Sequence, residues 1–304
     1  MKILVTGSTG LVGTALVSEL LRDGHTVCRL LRRESALAGA PDKSVPMPWD
    51  PATGELGKEA AGADAVVNLA GASIVSGRWN EVNKRLFVSS RVEMTRKLVA
   101  AIGKLRPPPR ALLSASAVGY YGSRGDEVLT EESAPGDDFP AFLAKGWEAA
   151  ALEAEAAGIR VVRLRIGVVL SKKGGALARM LKPFRLGIGG RLGSGQQWMS
   201  WVTVQDVLGA IQFALRTAEL KGAANVVAPQ PARNTDFTRA LAKTLHRPAI
   251  FPVPAFVLRL AAGEMADAIL LASQRAIPKR LQDAGYRFRH PELAEALPAV
   301  LAGA

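Results

Sequence analysis

The chain has 304 residues, of which 48% are hydrophobic and 22% are charged, and its formal net charge is +12. This composition excludes an intrinsically disordered, collagen-like or coiled-coil protein. A chain of this length can form one large α/β domain or two modest domains, with a core that needs no disulfide or metal ion for stability.

The numbers and positions of cysteine and histidine residues exclude further classes of protein. Cys28 is the single cysteine, so no internal disulfide can form, and the three histidines lie too far apart to predict a metal site. We therefore predict a cytoplasmic protein without a metal. The longest apolar segment, residues 249–272, is interrupted by charged residues, so we predict no membrane partner.

The excess of basic residues favours an anionic partner. Aromatic residues make up only 6% of the chain, and the basic residues are scattered, which argues against a dedicated nucleic-acid-binding protein. The predicted partner is a small-molecule substrate, with no nucleic acid, and no oligomeric state is predicted.

Short apolar strands alternate with amphipathic helices in the first 170 residues. The predicted strands are Lys2–Thr6, Thr26–Leu31, Ala63–Leu69, Ala111–Ser114 and Arg160–Arg165. Helices are predicted at Leu11–Asp23 and along two apolar stripes, one at 88–102 and one from Pro140 onward. Continuous apolar strands of this length are typical of buried parallel sheets. The alternation predicts an α/β fold with a doubly wound parallel sheet.

A glycine-rich segment joins the first predicted strand to the first predicted helix. Its glycines have the spacing of a dinucleotide-binding turn. Gly7 would allow the tight turn, Gly10 would let the backbone approach a pyrophosphate, and Gly13 would let the helix pack close to the strand. The predicted cofactor-binding residues of this loop are Gly7, Ser8, Thr9, Gly10, Leu11, Val12 and Gly13. A glycine-rich turn without a ligand is the alternative.

The end of the second predicted strand indicates which dinucleotide is bound. Arg32 and Arg33 follow this strand, and no acidic residue occurs before Glu34. An acid here would bind the adenosine ribose, whereas arginine pairs with a 2′-phosphate through forked, charge-assisted hydrogen bonds. We therefore predict NADP(H), with Ser8 as a further donor to that phosphate. The alternative is that both arginines form a solvated strand end.

The pattern changes after Ser171, where a glycine-rich loop at 187–195 precedes shorter elements. We predict a Rossmann-type NADP-binding domain at residues 1–170, to which later segments can return. A smaller substrate-side region is predicted at residues 171–304.

Three segments resemble the extended short-chain dehydrogenase/reductases. They are the TGxxGxxG run at 6–13, the segment Asp64–Gly71 and the run Ser114–Gly122. More narrowly, the chain resembles nucleoside-diphosphate-sugar epimerase-like proteins that carry a C-terminal domain of unknown function. This narrower resemblance is carried by Arg78–Asn80, Ser90–Arg91, Leu164–Leu170, Met199–Val202 and the tail from about Asn225.

The resemblance implies a set of site residues. Beyond the glycine loop, the implied cofactor contacts are Arg32, Asp50, Leu69, Ala70, Gly71 and Ser114. Ser116 occupies the position of the family's catalytic serine. A turn serine that satisfies the local backbone is the alternative for Ser116.

The chain departs from the family at its acid/base pair, a tyrosine followed four residues later by a lysine. Ala141 and Lys145 stand at these positions, and an alkyl side chain cannot transfer a proton. We hypothesise that Tyr120 or Tyr121 supplies the missing acid. The alternatives are that both tyrosines anchor their loop and that Lys145 is a solvated helix residue.

Three residues on loops are the predicted substrate-binding groups. Arg78 and Trp79 follow the Ala63–Leu69 strand, and Arg191 lies in the glycine-rich loop. A flexible lid with incidental arginines is the alternative for that loop.

Together these features predict an NADP-binding oxidoreductase or epimerase-like protein that acts on a small carbonyl or hydroxyl compound, such as a nucleotide sugar. Because the usual tyrosine is absent, the alternative is a catalytically silent NADP-binding sensor or interaction module.

Overall fold

The computed structural model describes residues 1–31, 43–51, 53–75 and 77–303. Its strands are β1 (Lys2–Thr6), β2 (Thr26–Leu31), β3 (Val45–Asp50), β4 (Glu55–Leu56), β5 (Ala65–Asn68), β6 (Ala111–Ala117), β7 (Val128–Leu129), β8 (Arg160–Ile166), β9 (Val168–Leu170), β10 (Trp198–Met199), β11 (Trp201–Thr203), β12 (Gly222–Val226), β13 (Ala232–Arg233) and β14 (Arg275–Ala276). Its α-helices are α1 (Leu11–Arg22), α2 (Glu81–Val88), α3 (Met94–Ile102), α4 (Phe139–Leu152), α5 (Gly175–Arg185), α6 (Val204–Arg216), α7 (Asn234–Leu245), α8 (Ala255–Ala262), α9 (Lys279–Asp283) and α10 (Leu293–Ala302). Short 3₁₀ helices occur at Lys58–Ala60, Val118–Tyr121 and Glu153–Ala157, and π-helical turns occur at Ser89–Glu93 and Ala266–Leu270.

The central sheet has the strand order β12-β8-β6-β5-β1-β2-β3-β4. Every neighbouring pair is parallel except β3 and β4. Helices α1 and α6 pack on one face of the sheet, and α3 and α4 pack on the other. This arrangement confirms the predicted α/β fold with a doubly wound parallel sheet.

The strand order reverses between β1 and β5. Strands β2 and β3 follow on one side of β1, whereas β6, β8 and β12 follow on the far side of β5. Ligands of open α/β sheets bind outside the carboxyl ends of the strands at such a switch point. Gly7 and Leu69, which come directly after β1 and β5, therefore mark the expected ligand cleft.

Strands β1 and β2 have the predicted bounds, but β3 was not predicted from the sequence. Pro46 and Pro48 lie within β3, and prolines normally indicate a break. At alternate positions they place both missing N–H groups on the same side of the strand, which a strand near the edge of a sheet tolerates.

Strand β12 was also missed, because it consists largely of small residues. It pairs in parallel with β8, from Gly222 opposite Val162 to Val226 opposite Ile166. Strand β12 thus belongs to the central sheet and helix α6 packs on that sheet, although both follow residue 170. The division of the chain at that residue stays a prediction.

The second half of the chain adds its own group of buried side chains. Trp201 and Phe237 are fully buried there, among apolar residues of α5, α7 and α10. None of the helices in the described ranges has both the length and the hydropathy that a bilayer crossing requires.

Candidate functional site

The glycine loop packs against the end of β5 at the switch point. Gly7 has a φ of +66°, and a Cβ atom there would lie 2.5 Å from the carbonyl carbon of Leu69. A Cβ atom at Gly13 would clash with the carbonyl oxygen of Gly7. Only glycine therefore allows this turn and this close approach of α1 to β1.

The first turn of α1 offers backbone N–H groups to the cleft. Gly10 is the N-cap residue and supplies no capping side chain, and both Thr9 and Gly10 are exposed. The hydroxyl oxygen of Ser8 is buried and has no hydrogen-bond partner among the described residues. Free N–H groups at the positive end of a helix dipole bind phosphate. The backbone of the loop therefore fits the pyrophosphate of a dinucleotide, and the contact of the Ser8 hydroxyl with the 2′-phosphate stays a prediction.

The remaining cofactor candidates lie at the carboxyl ends of neighbouring strands. Leu69 and Ala70 are half-buried and Gly71 is exposed, directly after β5. Asp50 ends β3. Arg32 and Arg33 lie outside the described residues. The cofactor contacts of these residues stay predictions.

Arg91, to which no separate role is assigned from the sequence, packs against Gly71. A Cβ atom at Gly71 would lie 3.0 Å from the guanidinium carbon of Arg91, and Arg91 Nη2 donates to the carbonyl oxygen of Ala72 over 2.8 Å. Burial lowers the pKa of Arg91 to about 10. Its guanidinium places positive charge close to the cleft.

Arg29, on β2, is a second arginine that was not predicted as a site residue from the sequence. Its side chain is buried, and its Nε and Nη2 atoms have no hydrogen-bond partner in the part of the chain that the structure describes. The signal in the sequence that could have identified Arg29 is a charged residue within an otherwise apolar predicted strand.

A buried chain of hydrogen bonds fixes the ends of β1, β5 and β6 relative to each other. The Thr6 hydroxyl donates to Asn68 Oδ1 over 2.7 Å. Asn68 Nδ2 donates to the hydroxyls of Thr95, over 2.9 Å, and Ser114, over 3.1 Å. Ser114 is thus a buried member of this network, which gives it a positioning role, and its direct contact with the cofactor stays a prediction.

Ser116 lies in a buried cluster with Glu148 and Arg165. Its hydroxyl donates to Glu148 Oε1 over 2.8 Å. Arg165 donates from Nε to Oε1 over 2.8 Å and from Nη2 to Oε2 over 3.0 Å. Burial alone would lower the pKa of Arg165, but the hydrogen bonds and charge of Glu148 raise it above its ordinary value. The Ser116 hydroxyl is therefore occupied in this arrangement, and its catalytic role stays a prediction.

The two candidate tyrosines have different surroundings. Tyr121 is fully buried, and its hydroxyl donates to Asn225 Oδ1 over 2.7 Å and accepts from Arg165 Nη1 over 3.0 Å. Burial raises the pKa of Tyr121 to about 12, against the opposing effect of Arg165. Tyr120 is half-buried, and the centre of its ring lies 3.5 Å from the guanidinium carbon of Arg165. Because a proton donor must reach the substrate, this geometry favours Tyr120 over Tyr121.

The positions of the missing tyrosine and of the lysine lie on α4. Ala141 is fully buried, and its backbone N–H donates to the capping carboxylate of Asp138 over 2.9 Å. Lys145 is exposed. This exposure matches the solvated-helix alternative, and a catalytic role for Lys145 stays a prediction.

The predicted substrate-binding residues Arg78 and Trp79 lie on the loop between β5 and α2. Arg78 Nη2 donates to the carbonyl oxygen of Leu260 in α8 over 3.0 Å, so this loop contacts the second half of the chain. Trp79 Nε1 donates to the carbonyl oxygen of Ile74 over 2.7 Å. Arg191 Nη1 donates to carbonyl oxygens of its own loop. Substrate contacts by these three side chains stay predictions.

Glu148 is a further site residue that was not predicted from the sequence. It is the one acidic residue of α4. An acid surrounded by apolar and small residues on a helix is rarely buried without a partner. That pattern was a usable signal for a buried ion pair, but the sequence does not indicate which arginine completes it.

No group of three or more histidine, cysteine, aspartate or glutamate side chains in the described ranges is arranged to hold a metal ion.

Comparison with known proteins finds relatives over nearly the whole chain. Residues 3–228 match the model of the NAD dependent epimerase/dehydratase family, and residues 253–300 match a domain of unknown function, DUF1731. The epimerase family protein Mb2239 of Mycobacterium bovis is 42% identical over 296 residues, which are 97% of this chain and 96% of that protein.

Solved structures agree with this assignment. The crystal structure of the human epimerase family protein SDR39U1 (isoform 2) with NADPH has a TM-score of 0.89 at 36% identity, over 100% of both chains. A UDP-glucuronic acid 4-epimerase from Bacillus cereus, in complex with UDP-glucuronic acid and NAD, has a TM-score of 0.79 at 18% identity, over 99% of this chain and 98% of that chain. At that identity the second likeness supports the fold alone. The chain therefore belongs to the NAD dependent epimerase/dehydratase family and has a Rossmann-type NAD(P)-binding fold.

Proposed function

We propose that the chain is an NADP(H)-dependent oxidoreductase or epimerase-like enzyme that acts on a small carbonyl or hydroxyl compound. The observation that carries this proposal is the glycine loop at the switch point, where α1 begins without a capping side chain. NADPH in the crystal structure of the human relative, which is 36% identical, supports NADP(H) as the cofactor.

Several groups support recognition of the adenosine 2′-phosphate. Arg32 and Arg33 follow β2 in the sequence, and a guanidinium binds phosphate through forked, charge-assisted hydrogen bonds. The buried hydroxyl of Ser8, which lacks a partner in the described part of the chain, is a further donor in the glycine loop.

When bound, the nicotinamide donates or accepts the hydride. The chain itself must hold the substrate and move a proton at the substrate oxygen. We assign this proton transfer to Tyr120, whose ring packs on the Arg165 guanidinium just beyond β6. Ser116 and Glu148 would then act by holding that guanidinium in place.

The substrate would contact the loop that carries Arg78 and Trp79, together with the glycine-rich loop that carries Arg191. Guanidinium groups on both sides favour an anionic substrate. Nucleotide sugars are therefore the first class to test, because their diphosphate is an anion.

The second candidate function is a catalytically silent NADP-binding sensor or interaction module. It is favoured by Ala141, which is fully buried where the family has its tyrosine, and by the Ser116 hydroxyl, which is bound to Glu148. Both candidates require the same cofactor site, so they differ only in turnover.

The cofactor assignment is tested by titrating the protein with NADPH and with NADH at one ionic strength, with nicotinamide fluorescence as the readout. We expect NADPH to bind at least tenfold more tightly, which corresponds to about 1.4 kcal/mol. The variant R32A/R33A should lose this preference, whereas R96A, which removes an exposed arginine on α3, should keep it. Equal affinities would remove the NADP assignment, and no binding of either dinucleotide would overturn the proposal.

Turnover separates the two candidates. In one assay, simple ketones are offered as substrates and NADPH oxidation is followed by absorbance. In a second assay, UDP-glucose and UDP-glucuronic acid are offered as substrates and NADP+ reduction is followed in the same way. With any substrate found, Tyr120→Phe should lower kcat by about a hundredfold or more, the usual contribution of a general acid. An unchanged kcat would remove Tyr120 from the mechanism, and NADPH binding without turnover of any compound would favour the silent module.

A further inference from the structure

A π-helical turn between α2 and α3, Ser89–Glu93, holds the backbone just beyond β5. The Ser90 hydroxyl accepts from the backbone N–H of Ala72 over 3.1 Å, and Arg91 Nη2 donates to the carbonyl oxygen of Ala72 over 2.8 Å. Such turns within helices frequently occur at functional sites. The Arg91 side chain is therefore fixed at the carboxyl end of β5, beside the switch point of the sheet.

Further contacts fix the guanidinium of Arg91. A Cβ atom at Gly71 would lie 3.0 Å from its Cζ atom and 3.2 Å from both Nε and Nη2, so the absent side chain of Gly71 leaves the room that the guanidinium occupies. The guanidinium carbon also lies 5.2 Å from the centre of the Trp147 ring. Trp147 Nε1 donates to the Thr95 hydroxyl over 3.0 Å, which connects the ring to the buried network of Asn68. The position of this positive charge is thus set by the fold.

The charge of Arg91 has no counter-charge in the described part of the chain. Its Nη1 atom is buried there without a hydrogen-bond partner. Glu148, which follows Trp147 on α4, is already paired with Arg163 over 3.0 Å and with Arg165 over 2.8 Å. Burial lowers the pKa of Arg91 to about 10, so the guanidinium stays charged at neutral pH. A buried charge without a partner is costly to maintain and is typical of a functional site.

The strand order indicates which half of the dinucleotide lies near this charge. With the proposed function, the loop after β1 binds the pyrophosphate and the arginines after β2 bind the adenosine phosphate. The nicotinamide half then extends in the opposite direction along the sheet, over the ends of β5 and β6. Gly71 follows β5, so Arg91 lies on the nicotinamide side of the site.

The two redox forms of the cofactor differ by one positive charge. The nicotinamide ring is cationic in NADP+ and neutral in NADPH, whereas the phosphates and riboses of the two forms are the same. At an effective dielectric constant of about 20, two unit charges about 10 Å apart change a binding constant by more than about tenfold. We propose that the fixed charge of Arg91 makes the site bind NADPH more tightly than NADP+. This inference rests on the proposed function, because it requires the dinucleotide in the cleft.

The preference has a consequence for both candidate functions. Tighter binding of the reduced form raises the reduction potential of the bound cofactor, by about 30 mV for each tenfold difference in Kd. An enzyme with this site is loaded with NADPH and therefore poised to reduce a carbonyl group. A silent module with this site reports the reduced form of the cofactor in particular.

The proposal is tested by calorimetric titration of the full chain with NADPH and, separately, with NADP+ at one pH and ionic strength. The measured quantity is the ratio of the two Kd values, which should favour NADPH by about tenfold or more in the wild type. Arg91→Gln, which keeps an N–H donor for Ala72 but removes the charge, should abolish most of this preference. Arg91→Met is a second neutral variant and should have the same effect. Because both forms carry the same phosphates, a general weakening of cofactor binding cancels in the ratio.

Two further variants separate charge from structure. Arg91→Lys keeps the charge and should retain most of the preference. The matched control is Arg96→Met, because Arg96 is an exposed arginine on α3 that pairs with Glu153, and its loss should leave the ratio unchanged.

Three results would overturn the role of the Arg91 charge. They are the same ratio in the wild type and both neutral variants, an equal reduction of the ratio in Arg96→Met, or a loss in Arg91→Lys as large as in Arg91→Gln. Each of these results requires that both forms of the cofactor bind. They therefore differ from failure of the proposed function, in which neither form binds and the inference fails with it.

Discussion

Arg165 and Glu148 form a two-bond ion pair in which each side chain is only 3% exposed. The pair joins β8 to α4 and also accepts the Ser116 hydroxyl, so it connects the predicted catalytic serine to the Tyr120 ring. Removal of Glu148 leaves the buried Arg165 guanidinium without its carboxylate partner, which costs about 3–5 kcal/mol. We therefore expect Glu148→Ala to lower the free energy of unfolding by that amount, measured by urea denaturation.

The matched control is Glu153→Ala. Glu153 pairs with Arg96, and both side chains are at least half exposed. Exposed pairs contribute about 0–1 kcal/mol, so this variant should be nearly as stable as the wild type. If both variants lost equal stability, the Arg165–Glu148 pair would not have the proposed structural importance.

The glycine loop gives a prediction that separates folding from binding. Gly13→Ala should destabilise the protein, because its Cβ atom would clash with the Gly7 carbonyl oxygen. Gly10→Ala should destabilise the protein less than Gly13→Ala, since its Cβ atom would lie 3.3 Å from that oxygen and a backbone shift of a few tenths of an ångström relieves the contact, but the added methyl group would obstruct the pyrophosphate. We expect at least a tenfold weaker NADPH affinity for Gly10→Ala and a smaller drop in melting temperature than for Gly13→Ala. Normal NADPH affinity in this variant would place the cofactor elsewhere.

The buried phenol of Tyr121 predicts a pH dependence of stability. Burial raises the pKa of Tyr121 to about 12, above the value of about 10 for an unfolded chain. Above pH 10 the folded state therefore binds more protons than the unfolded state at this residue, so its contribution to stability is complete below pH 10 and is lost as the pH rises toward 12. Urea midpoints at pH 9 and pH 11 should show a smaller loss for Tyr121→Phe than for the wild type.

Equal losses in the two proteins would contradict the assignment. Tyr286 also has a raised pKa, chiefly through burial, so part of the alkaline loss should persist in Tyr121→Phe. Tyr120→Phe is the control that leaves both of these phenols in place.

Helix α8 presents large apolar side chains that the fold does not bury. Phe256 is 69% exposed and Leu260 is 77% exposed. Substitution of either residue by serine should change the free energy of unfolding by less than about 0.5 kcal/mol, because no buried contact is lost. Phe237→Ala, in a fully buried position, should cost about 3–5 kcal/mol when both variants are measured by urea denaturation. A large destabilisation by Leu260→Ser would show that α8 is covered in solution.

The sequence predicted the sheet where strands are continuous and apolar, as in β1 and β2, and the glycine loop between β1 and α1. It failed at β3, where alternate prolines hide a strand, and at β12, where small residues give a weak apolar signal. Both strands are recognised only through their neighbours in the sheet.

The candidate site was predictable where function depends on the backbone and not where it depends on long-range partners. Gly7 and Gly13 have the close contacts that their spacing implies. Ser116 is predicted from its position as the family's catalytic serine, but its hydroxyl partner lies on α4, and nothing in the local sequence indicates that contact. The pairing of Glu148 with Arg165 depends on the register between β6, β8 and α4, which is a property of the assembled fold.

The position of β12 at the edge of the sheet has a consequence for biosynthesis. The ribosome must release the chain through Val226 before this edge strand can pair with β8, and α6, which covers the apolar face beside α1, emerges only shortly before it. Residues that belong to the second half, from Ser171 to Ser200, are then already outside the ribosome. The nascent first half must therefore keep an unpaired edge and an uncovered face while these residues emerge, and during this interval it is exposed to aggregation and chaperone binding.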